Sequence, residues 1–574
     1  MINNQTKQIE LPAWRSFLLF SVLALSLFGL VGRAMYLQGM NNNFLQEKGA
    51  LHYSQVVEMN VSRGMITDRH GEILAISSPV ASVFADPQLI EITHEQLERL
   101  SGLLEMDVED VERRLNREHS RFVYLKRQVS PNVTEKIVGL GIQGIYLKDE
   151  SKRYYPAREV TAHVLGFTDI NDKGQEGVEW GWEETLAGKL GSRRVIKDRK
   201  GRIVEDVENI RLPRQGQDVA LSLDSKIQYL AHRELKRAVE DNQAKSGSIV
   251  VLDAQTGEVL ALANLPVYNP NRRSSISSER IRNRALVDTY EPGSTLKPFP
   301  VAIALEINQI DPDTIFETAP GTLQVNRATI RDVVDKGDLT VAQILQVSSN
   351  VGTAKIALSL PPKILWEMLS QSGFGEPTGS GFPGEATGRL RPYASWRPIE
   401  QATLSYGHGI SVSLMQLARA YTLFTTRGKL MPVSLVKQDK PVVGQQVISR
   451  ETALAVNNML EMVTQPGGTA PLAQVNGYRV AGKTGTAHKL VDGQYAKDLY
   501  TSSFVGYAPA SDPRLIIAVV LDEPSSGRYF GGEVAAPVFS HVMTGALRIL
   551  NVPHDAPANN VVLFQATQEP EGEV

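Results

Sequence analysis

Residues 291–298, Glu-Pro-Gly-Ser-Thr-Leu-Lys-Pro, hold the first of three motifs that together decide the fold of this chain. The Pro-Gly pair is a turn signal, and Ser294 stands where a helix would begin. Ser294 and Lys297 are three residues apart, so a helix places both on one face with Cβ atoms about 5–6 Å apart. A hydroxyl beside an amine at such a position is one way to build an activated nucleophile. Pro298 argues against this interpretation, because a proline disfavours helical geometry in the residue before it.

The Ser-x-x-Lys spacing alone is a weak signal, because it recurs at Ser434 and Lys437. Residues 433–436 are typical of a strand, in which Ser434 and Lys437 would point to opposite faces. The first copy is followed by residues 348–350 (Ser-Ser-Asn) and then by residues 483–486 (Lys-Thr-Gly-Thr), whereas the second copy has no Ser-x-Asn after it and before the third motif. The order Ser-x-x-Lys, Ser-x-Asn, Lys-Thr-Gly is that of penicillin-binding proteins and serine β-lactamases.

The composition indicates a sizeable folded protein without cysteine chemistry. A length of 574 residues suggests several domains, and 42% hydrophobic with 21% charged residues is ordinary for a chain with a large core. The net charge of −3 gives no reason to expect a nucleic-acid partner. The chain has no cysteine, which excludes disulfides, a cysteine nucleophile and cysteine-ligated metal sites, and fits an oxidising compartment.

The N-terminus carries a membrane signal. Arg15 and Arg33 bracket an uncharged run that is near the lower limit of about 17 residues for a span, and the apolar residues after Arg33 lengthen it. A cleaved signal peptide is the alternative, but no small-x-small cleavage site follows the run. We therefore predict an uncleaved transmembrane anchor over residues 16–37, after a cytoplasmic N-terminus of residues 1–15. Basic residues stand on both sides of the run, so charge does not set its orientation.

The remaining pattern predicts an α+β protein. A polar stalk over residues 38–60 leads to a first part that ends near residues 212–218, and Asp224 or Ser225 caps the first helix of a second part. The predicted elements, in chain order, are a hairpin at 63–75, a helix at 94–117, a hairpin at 248–263, a helical region at 294–425 with a loop at 373–393, strands at 478–487, 500–508 and 515–522, and a helix at 537–550. Strands, then helices, then strands predict an antiparallel sheet with helices segregated around it. Residues 553–574 are polar and predict a disordered tail.

Two short patterns resemble motifs of other classes of protein. Residues 477–484 match the Walker A pattern, but a P-loop must follow a buried strand and open a helix, and neither flank fits. His94 opens a zinc signature in which Glu98 replaces the second histidine, so we predict no metal site there. The chain has no Gly-x-Ser-x-Gly elbow, which argues against an α/β-hydrolase.

Over nearly its whole length the chain resembles the class B penicillin-binding proteins. Besides the three motifs, the matching stretches are Arg63-Gly64, Asp68-Arg69, Gly71, Glu176–Glu179, Tyr406–Gly409, Tyr529–Gly532 and Ala536–Phe539. Asn350 and Thr484 favour the division-specific branch, because elongation-type relatives more often have an acidic residue and a serine there. The resemblance implies a β-lactamase-like transpeptidase domain over 218–552, preceded by an elongated α+β pedestal, a non-catalytic domain of the dimerisation type, over 38–217. The family pattern assigns no role to His408 or His488.

The resemblance also implies roles for the residues of the first motif. Ser294 would attack the carbonyl of the penultimate D-alanine in a peptidoglycan stem peptide, with Lys297 as its base. A lysine with a pKa near 10.4 must fall to about 7–8 for this task, a change of about 4 kcal/mol. Burial and a second cation, for which Lys483 is the candidate, change the pKa in that direction.

The second and third motifs would bind the substrate and move its proton. Ser348 would relay the proton to the leaving amine, and Asn350 would hold the substrate amide. Thr484 and Thr486 lie two apart on a strand, so both would face the terminal carboxylate of a peptide or β-lactam. Gly485 would let the substrate approach closely. The oxyanion hole would be formed by the backbone N–H groups of Ser294 and Thr486.

The expected function is that of a D,D-transpeptidase that cross-links stem peptides at the septum and is acylated by β-lactams, with no cofactor. Residues 38–215 are too few for a pedestal and a glycosyltransferase domain together. The alternatives are an elongation-type transpeptidase, a D,D-carboxypeptidase or β-lactam hydrolase, and an idle scaffold that senses β-lactams. The resemblance further implies a single-pass protein of the bacterial inner membrane with its catalytic domain in the periplasm, and partners among the division-complex membrane proteins, including a polytopic glycosyltransferase.

Overall fold

The computed structural model describes residues 13–37, 54–59, 61–117, 120–197, 203–272, 276–491 and 493–561. The chain divides into two compact units, one of residues 1–61 and 188–215 and the other of residues 62–187 and 216–574. The predicted cytoplasmic N-terminus, stalk and C-terminal tail lie largely outside the described residues. The prediction of a disordered tail is wrong for residues 553–561, because Asp555 accepts from Arg479 N–H and Asn560 accepts from Gly477 N–H, each at 2.8 Å.

The strands of the N-terminal part are β1 (Ser54–Met59), β2 (Ile66–Thr67), β3 (Ile73–Ala85), β4 (Val123–Val129), β5 (Ile145–Tyr154), β6 (Gly191–Lys197), β7 (Ile203–Arg211) and β8 (Val219–Ala220). The helices there are α1 (Ala13–Met35), α2 (His94–Leu104), α3 (Val108–Leu115), α4 (Pro131–Gly139), α5 (Ala162–Leu165), α6 (Gly177–Gly181) and α7 (Glu183–Leu186). A 3-10 turn, Arg158–Val160, precedes α5.

The first unit contains α1 and a three-stranded antiparallel sheet in the order β1-β6-β7. Helix α1 has no buried residue and is long and apolar enough to cross a membrane. It begins three residues before the predicted span and ends at Met35, so the helix expected at the N-terminus is present.

In the second unit, β2 and β3 form the hairpin predicted at residues 63–75, and β8 joins β2 in parallel. Strand β3 also pairs with β4 and β5. The prediction of a single helix over 94–117 is wrong in detail. Helix α2 ends where Glu105 takes a left-handed φ of 51°, and α3 begins after Asp107. The chain therefore turns between two short helices that pack on the same sheet.

A buried carboxylate holds this region together. Glu179 is fully buried and accepts hydrogen bonds from Arg63 Nε and Arg153 Nε, each at 2.7 Å. Gly64, next to Arg63, has no room for a Cβ, because the carbonyl of Gln217 fills that space. Two of the pedestal stretches found in the sequence, at Arg63-Gly64 and around Glu179, are therefore explained by packing and charge pairing.

The strands of the C-terminal part are β9 (Ser246–Asp253), β10 (Val259–Leu265), β11 (Ile315–Glu317), β12 (Thr322–Val325), β13 (Ala328–Arg331), β14 (Asp338–Thr340), β15 (Lys429–Leu430), β16 (Gln445–Gln446), β17 (Ala481–Val491), β18 (Gln494–Ala508) and β19 (Leu515–Asp522). The helices there are α8 (Ser225–Asp241), α9 (Ser278–Ile281), α10 (Arg284–Val287), α11 (Pro298–Glu306), α12 (Val341–Gln346), α13 (Asn350–Ser359), α14 (Pro362–Gln371), α15 (Pro398–Leu404), α16 (Leu414–Ala420), α17 (Thr422–Thr425), α18 (Arg450–Thr464), α19 (Gly531–Val534) and α20 (Ala536–Ile549). The described residues of this part also form 3-10 turns at Gly293–Leu296, Tyr393–Ser395 and Pro471–Ala473.

A five-stranded antiparallel sheet in the order β10-β9-β19-β18-β17 forms the centre of this part. Helices α8 and α20 cover one face, and the cluster that includes α11 and α16 covers the other. Every residue of β9 and β10 is buried, which explains their almost continuous apolar sequences. The α+β class is confirmed, as are the hairpin at 248–263 and the closing helix.

Two predicted elements differ in the structure. The region 294–425 is interrupted by the short hairpin β12–β13 and by the pair β11–β14. Where a strand is predicted over residues 433–436, Ser434 and Val436 each form an isolated bridge. The Ser434 hydroxyl donates to Val436 O at 2.6 Å and accepts from Val436 N–H at 3.2 Å, so it closes a local turn that competes with strand pairing.

Candidate active site

The nucleophile turn, residues 291–297, enters helix α11 without a break. Ser294 lies in the 3-10 turn Gly293–Leu296, and Lys297 has helical dihedral angles of φ −54° and ψ −32°. Pro298 does not disturb the helical geometry of Lys297. It takes the first helical position, where its missing N–H leaves no hydrogen bond unmade. Behind the turn, the buried Tyr421 hydroxyl donates to Thr295 O at 2.8 Å and fixes the backbone.

The second motif forms a strained turn between α12 and α13. Ser348 has a φ of +62°, a conformation that non-glycine residues adopt seldom and that clusters at functional sites. Asp332 holds the turn: its carboxylate accepts from the Ser349 hydroxyl at 2.5 Å, from Val351 N–H at 3.0 Å and from Asn350 N–H. A carboxylate at the start of α13 is further stabilised by the helix dipole.

Two buried lysines converge on this turn. Lys297 Nζ donates to Asn350 Oδ1 at 2.8 Å and to Ser348 O, and it lies 3.1 Å from Ser348 Oγ. Lys483 Nζ, from strand β17, lies 2.9 Å from the same Ser348 Oγ. Both lysine side chains are fully buried. The structure thus brings one residue of the first motif, two of the second and one of the third into a single hydrogen-bonded group.

Burial changes the ionisation of this pair. It lowers the pKa of Lys297 to about 7, and the negative charge of Asp332 opposes that change. Burial also lowers the pKa of Lys483, with the charge of Lys297 acting in the same direction. At neutral pH a large share of the Lys297 amine is therefore unprotonated and able to accept a proton.

Strand β17 forms the edge of the central sheet beside the nucleophile turn. Thr484 Oγ1 lies 2.9 Å from Thr469 Oγ1, and Thr486 Oγ1 accepts from Gly531 N–H at 3.0 Å. A Cβ on Gly485 would lie 2.9 Å from Pro292 O and would overlap the Ser503 hydroxyl. Close packing of the strand on the nucleophile turn is therefore one reason for glycine at this position.

The hydroxyl of Ser294 is half-buried and, within the described part of the chain, has no hydrogen-bond partner. An unpaired hydroxyl, an amine of lowered pKa one turn later and a second buried lysine are the parts of a serine nucleophile with a lysine base. Asn350 Nδ2 donates to Arg331 O at 2.9 Å, so both ends of this amide already have partners.

Asp332 was not identified from the sequence, and neither was the tie between Glu291 and His408. Asp332 belongs to no motif and reaches the Ser348 turn only through the fold. His408 Nδ1 lies 3.0 Å from Glu291 Oε2, which joins a residue to which the family pattern assigns no role to the first residue of the nucleophile motif. Neither contact has a sequence spacing by which it can be recognised.

The structure shows no nucleotide, metal or second nucleophile site at the short patterns that resemble other motifs, all of which lie in described residues. Residues 481–491 are one strand, so the Walker-like stretch opens no helix. Lys437 Nζ donates to Arg69 O at 3.1 Å, and no hydrogen bond joins the second Ser-x-x-Lys copy to the Ser348 turn. Among the described residues, no group of three or more acidic or histidine side chains is placed to hold a metal ion.

Comparison with protein families matches most of the chain. Residues 247–544 match the penicillin binding protein transpeptidase domain, and residues 58–221 match the penicillin-binding protein dimerisation domain. The chain is 43% identical over 546 residues to the probable peptidoglycan D,D-transpeptidase PenA of Neisseria meningitidis, covering 94% of each chain. It is 40% identical over 559 residues to the peptidoglycan D,D-transpeptidase FtsI of Escherichia coli, covering 96% of this chain and 94% of that one.

Solved structures agree with this match. The transpeptidase domain of penicillin-binding protein 3 from Burkholderia pseudomallei is 48% identical, with a TM-score of 0.55 over 59% of this chain and 98% of its own. A peptidoglycan synthetase from Bifidobacterium adolescentis is 27% identical, with a TM-score of 0.70 over 88% of this chain and 99% of its own.

Proposed function

The chain belongs to the penicillin-binding protein transpeptidase family, and from this we propose that it is a peptidoglycan D,D-transpeptidase with Ser294 as its nucleophile. The substrate would be a stem peptide ending in D-Ala-D-Ala, and β-lactams would acylate the same serine. The observation that carries the proposal is the pair of fully buried lysines that share the Ser348 hydroxyl, one turn from the unpaired Ser294 hydroxyl.

In the acylation step, Ser294 Oγ attacks the carbonyl carbon of the penultimate D-alanine and gives its proton to Lys297 Nζ. The C–O bond forms, and the charge that develops on the carbonyl oxygen is stabilised by the backbone N–H groups of Ser294 and Thr486. One such donor is typically worth about 10²–10³ in rate. The edge position of β17 supports this arrangement, because backbone groups on its outer side face no further strand.

The tetrahedral intermediate then collapses with cleavage of the C–N bond. The proton passes from Lys297 through the Ser348 hydroxyl to the leaving nitrogen, and terminal D-alanine departs as the neutral amine. Ser348 Oγ is suited to this relay because it lies within 3.1 Å of both lysine Nζ atoms. Thr484 and Thr486 bind the terminal carboxylate of the donor, and Asn350 contributes to holding its amide.

Deacylation regenerates Ser294 and leaves a cross-link. An amine of a neighbouring stem peptide attacks the acyl carbonyl, the bond to Ser294 Oγ breaks, and the serine recovers a proton from the attacking amine through Lys297. The same route with water in place of the amine would give a carboxypeptidase.

The proposal extends to location and domain limits. Helix α1 would anchor a single-pass protein in the inner membrane of a bacterium, with the catalytic domain in the periplasm at the septum. The pedestal would cover residues 38–217 and the transpeptidase domain residues 218–552. The pedestal and the span would dock other division-complex membrane proteins, including a polytopic glycosyltransferase. Replacing residues 1–60 by an unrelated anchor tests the targeting role of the span, and unchanged septal localisation would refute it.

The nucleophile is tested by incubating the full-length protein in detergent with a fluorescent penicillin, beside Ser294→Ala. We expect a long-lived covalent label on the wild type and none on the variant. Rapid loss of label with consumption of penicillin would instead indicate a β-lactam hydrolase. A folded wild type that takes no label would contradict the acyl-enzyme mechanism.

A further inference from the structure

The carboxylate of Glu291, three residues before Ser294, is the meeting point of three chain segments. Its side chain is 16% exposed. Oε1 accepts from Gly409 N–H at 2.8 Å, Oε2 accepts from the Tyr495 hydroxyl at 3.0 Å, and His408 Nδ1 lies 3.0 Å from Oε2. The His408 ring packs edge-on against Tyr495, with centroids 5.6 Å apart. We refer to these four residues as the Glu291 cluster.

Tyr495 lies on a part of hairpin β17–β18 that extends beyond the sheet. Strand β18 pairs with β19 only from Thr501 onward, whereas its earlier residues pair with β17 alone. A two-stranded ribbon without further support is marginally stable in water. The hydrogen bond from the Tyr495 hydroxyl to Glu291 is therefore a tie between this overhang and the nucleophile turn.

The loop that carries His408 and Gly409 is in direct contact with the nucleophile turn. Gly407 has a φ of +87°, and a Cβ there would overlap the backbone of Gly293. Gly293 N–H also points to Gly407 O at 3.4 Å. Because these two glycines pack backbone to backbone, a displacement of the loop is passed to the residue next to Ser294.

We propose that Glu291 is a positioning residue of acylation: it ties the overhang of hairpin β17–β18 and the loop 406–409 to the nucleophile turn, and so fixes Ser294 relative to strand β17. The inference rests on the proposed function and deepens it. Glu291 does not touch the reacting atoms. It acts by limiting how far Ser294 can move from the edge of β17, and small misplacements of a reacting atom slow a reaction strongly.

The charge state of Glu291 indicates that the hydrogen bonds of this cluster are intact at neutral pH. Burial raises the pKa of Glu291, but hydrogen bonds from His408, Gly409 N–H and Tyr495 outweigh burial and hold that pKa below its usual value. The carboxylate therefore stays charged, and charge-assisted hydrogen bonds are stronger than neutral ones.

The test measures acylation by a fluorescent penicillin in stopped flow, with the full chain in detergent, for wild type, Glu291→Gln, Tyr495→Phe and the double variant. Saturation curves separate the dissociation constant of the non-covalent complex from the acylation rate constant. We expect Glu291→Gln to lower the rate constant about tenfold, as expected for the loss of charge-assisted hydrogen bonds, with an unchanged dissociation constant. Tyr495→Phe should lower it less, and the double variant should be no slower than Glu291→Gln, because both changes break the same tie.

A matched control is Tyr229→Phe on α8, where the ring is exposed and its hydroxyl has no role in the cluster. It should acylate at the wild-type rate. Additive effects of the two cluster changes, an effect confined to the dissociation constant, or unchanged rates in all variants would overturn the inference. A wild type that takes no label would overturn the proposed function and this inference with it, whereas a labelled wild type with equally fast variants would overturn only the inference.

Discussion

Lys297 and Lys483 reach the same hydroxyl: their Nζ atoms lie 3.1 and 2.9 Å from Ser348 Oγ, and neither side chain is exposed. Two lysine amines that share one hydroxyl and are so poorly solvated oppose each other's charge. Burial lowers the pKa of Lys297 to about 7, so its ionisation changes near neutral pH, and three predictions depend on it.

The first prediction concerns the pH dependence of acylation. Below pH 7 the amine of Lys297 is protonated, since its pKa is about 7, and it cannot accept the proton of Ser294. We expect the logarithm of the acylation rate constant to rise by about one per pH unit below pH 7 and to level off above it. Stopped-flow labelling with a fluorescent penicillin across this range measures it, and a flat profile would exclude Lys297 as the base.

The second prediction concerns stability. Lys297 has a folded-state pKa of about 7, below the value of about 10.4 for an unfolded lysine, so between these values the unfolded chain binds more protons. The free energy of unfolding of the wild type relative to Lys297→Met should therefore rise with pH, by up to about 1.4 kcal/mol per pH unit. Urea unfolding at pH 7 and pH 9 measures this difference. Lys236→Met, at a lysine 57% exposed on α8, is the matched control and should show no such trend.

The third prediction separates the charge of Asp332 from its hydrogen bonds. The carboxylate raises the pKa of Lys297, so Asp332→Asn should move the inflection of the acylation profile to lower pH. The same change weakens the support of the Ser348 turn, and the plateau rate should fall about tenfold. Labelling kinetics across the pH range test both effects, and an inflection that stays in place or moves upward would be the contrary result.

The fourth prediction addresses the N-terminal part of the second unit. Glu179→Ala leaves Arg63 and Arg153 buried without their carboxylate, and breaking a buried ion pair in this way costs about 3–5 kcal/mol. Chemical unfolding measures the loss. The matched control is Glu95→Ala, which removes a solvent-exposed partner of Arg99 on α2 and should change the free energy of unfolding by no more than about 0.5 kcal/mol. Equal losses of unfolding free energy in the two variants would mean that the buried ion pairs of Glu179 stabilise the fold no more than a surface ion pair does.

The sequence was sufficient for the parts of the fold that depend on local patterns. Strands β9 and β10 could be predicted because they are uninterrupted apolar runs between turn residues, and the motif order identified the residues that meet around Ser348. The pairs β11–β14 and β12–β13 were missed because these short strands are partly exposed and have little apolar pattern. The strand at 433–436 was predicted from composition, but the Ser434 hydroxyl satisfies the backbone locally.

The supporting contacts of the site could not be predicted for a different reason. Asp332 and Glu291 act on residues that are distant in sequence and adjacent only in the fold. Neither contact joins residues at a helical or strand period, so neither can be predicted from residue spacing in the sequence. The helical geometry of Lys297 before Pro298 is a similar case, in which the packing of α11 and Tyr421 outweighs a local preference.

The crowding around Gly485 has a consequence for drug resistance. A side chain at this point would meet the carbonyl of Pro292 and the hydroxyl of Ser503. We expect a substitution here that excludes a β-lactam to displace the nucleophile turn as well, and so to slow the acylation that we propose for Ser294. For inhibitors that bind through the backbone beside Gly485, we therefore expect resistance mutations to arise at other residues of the cleft.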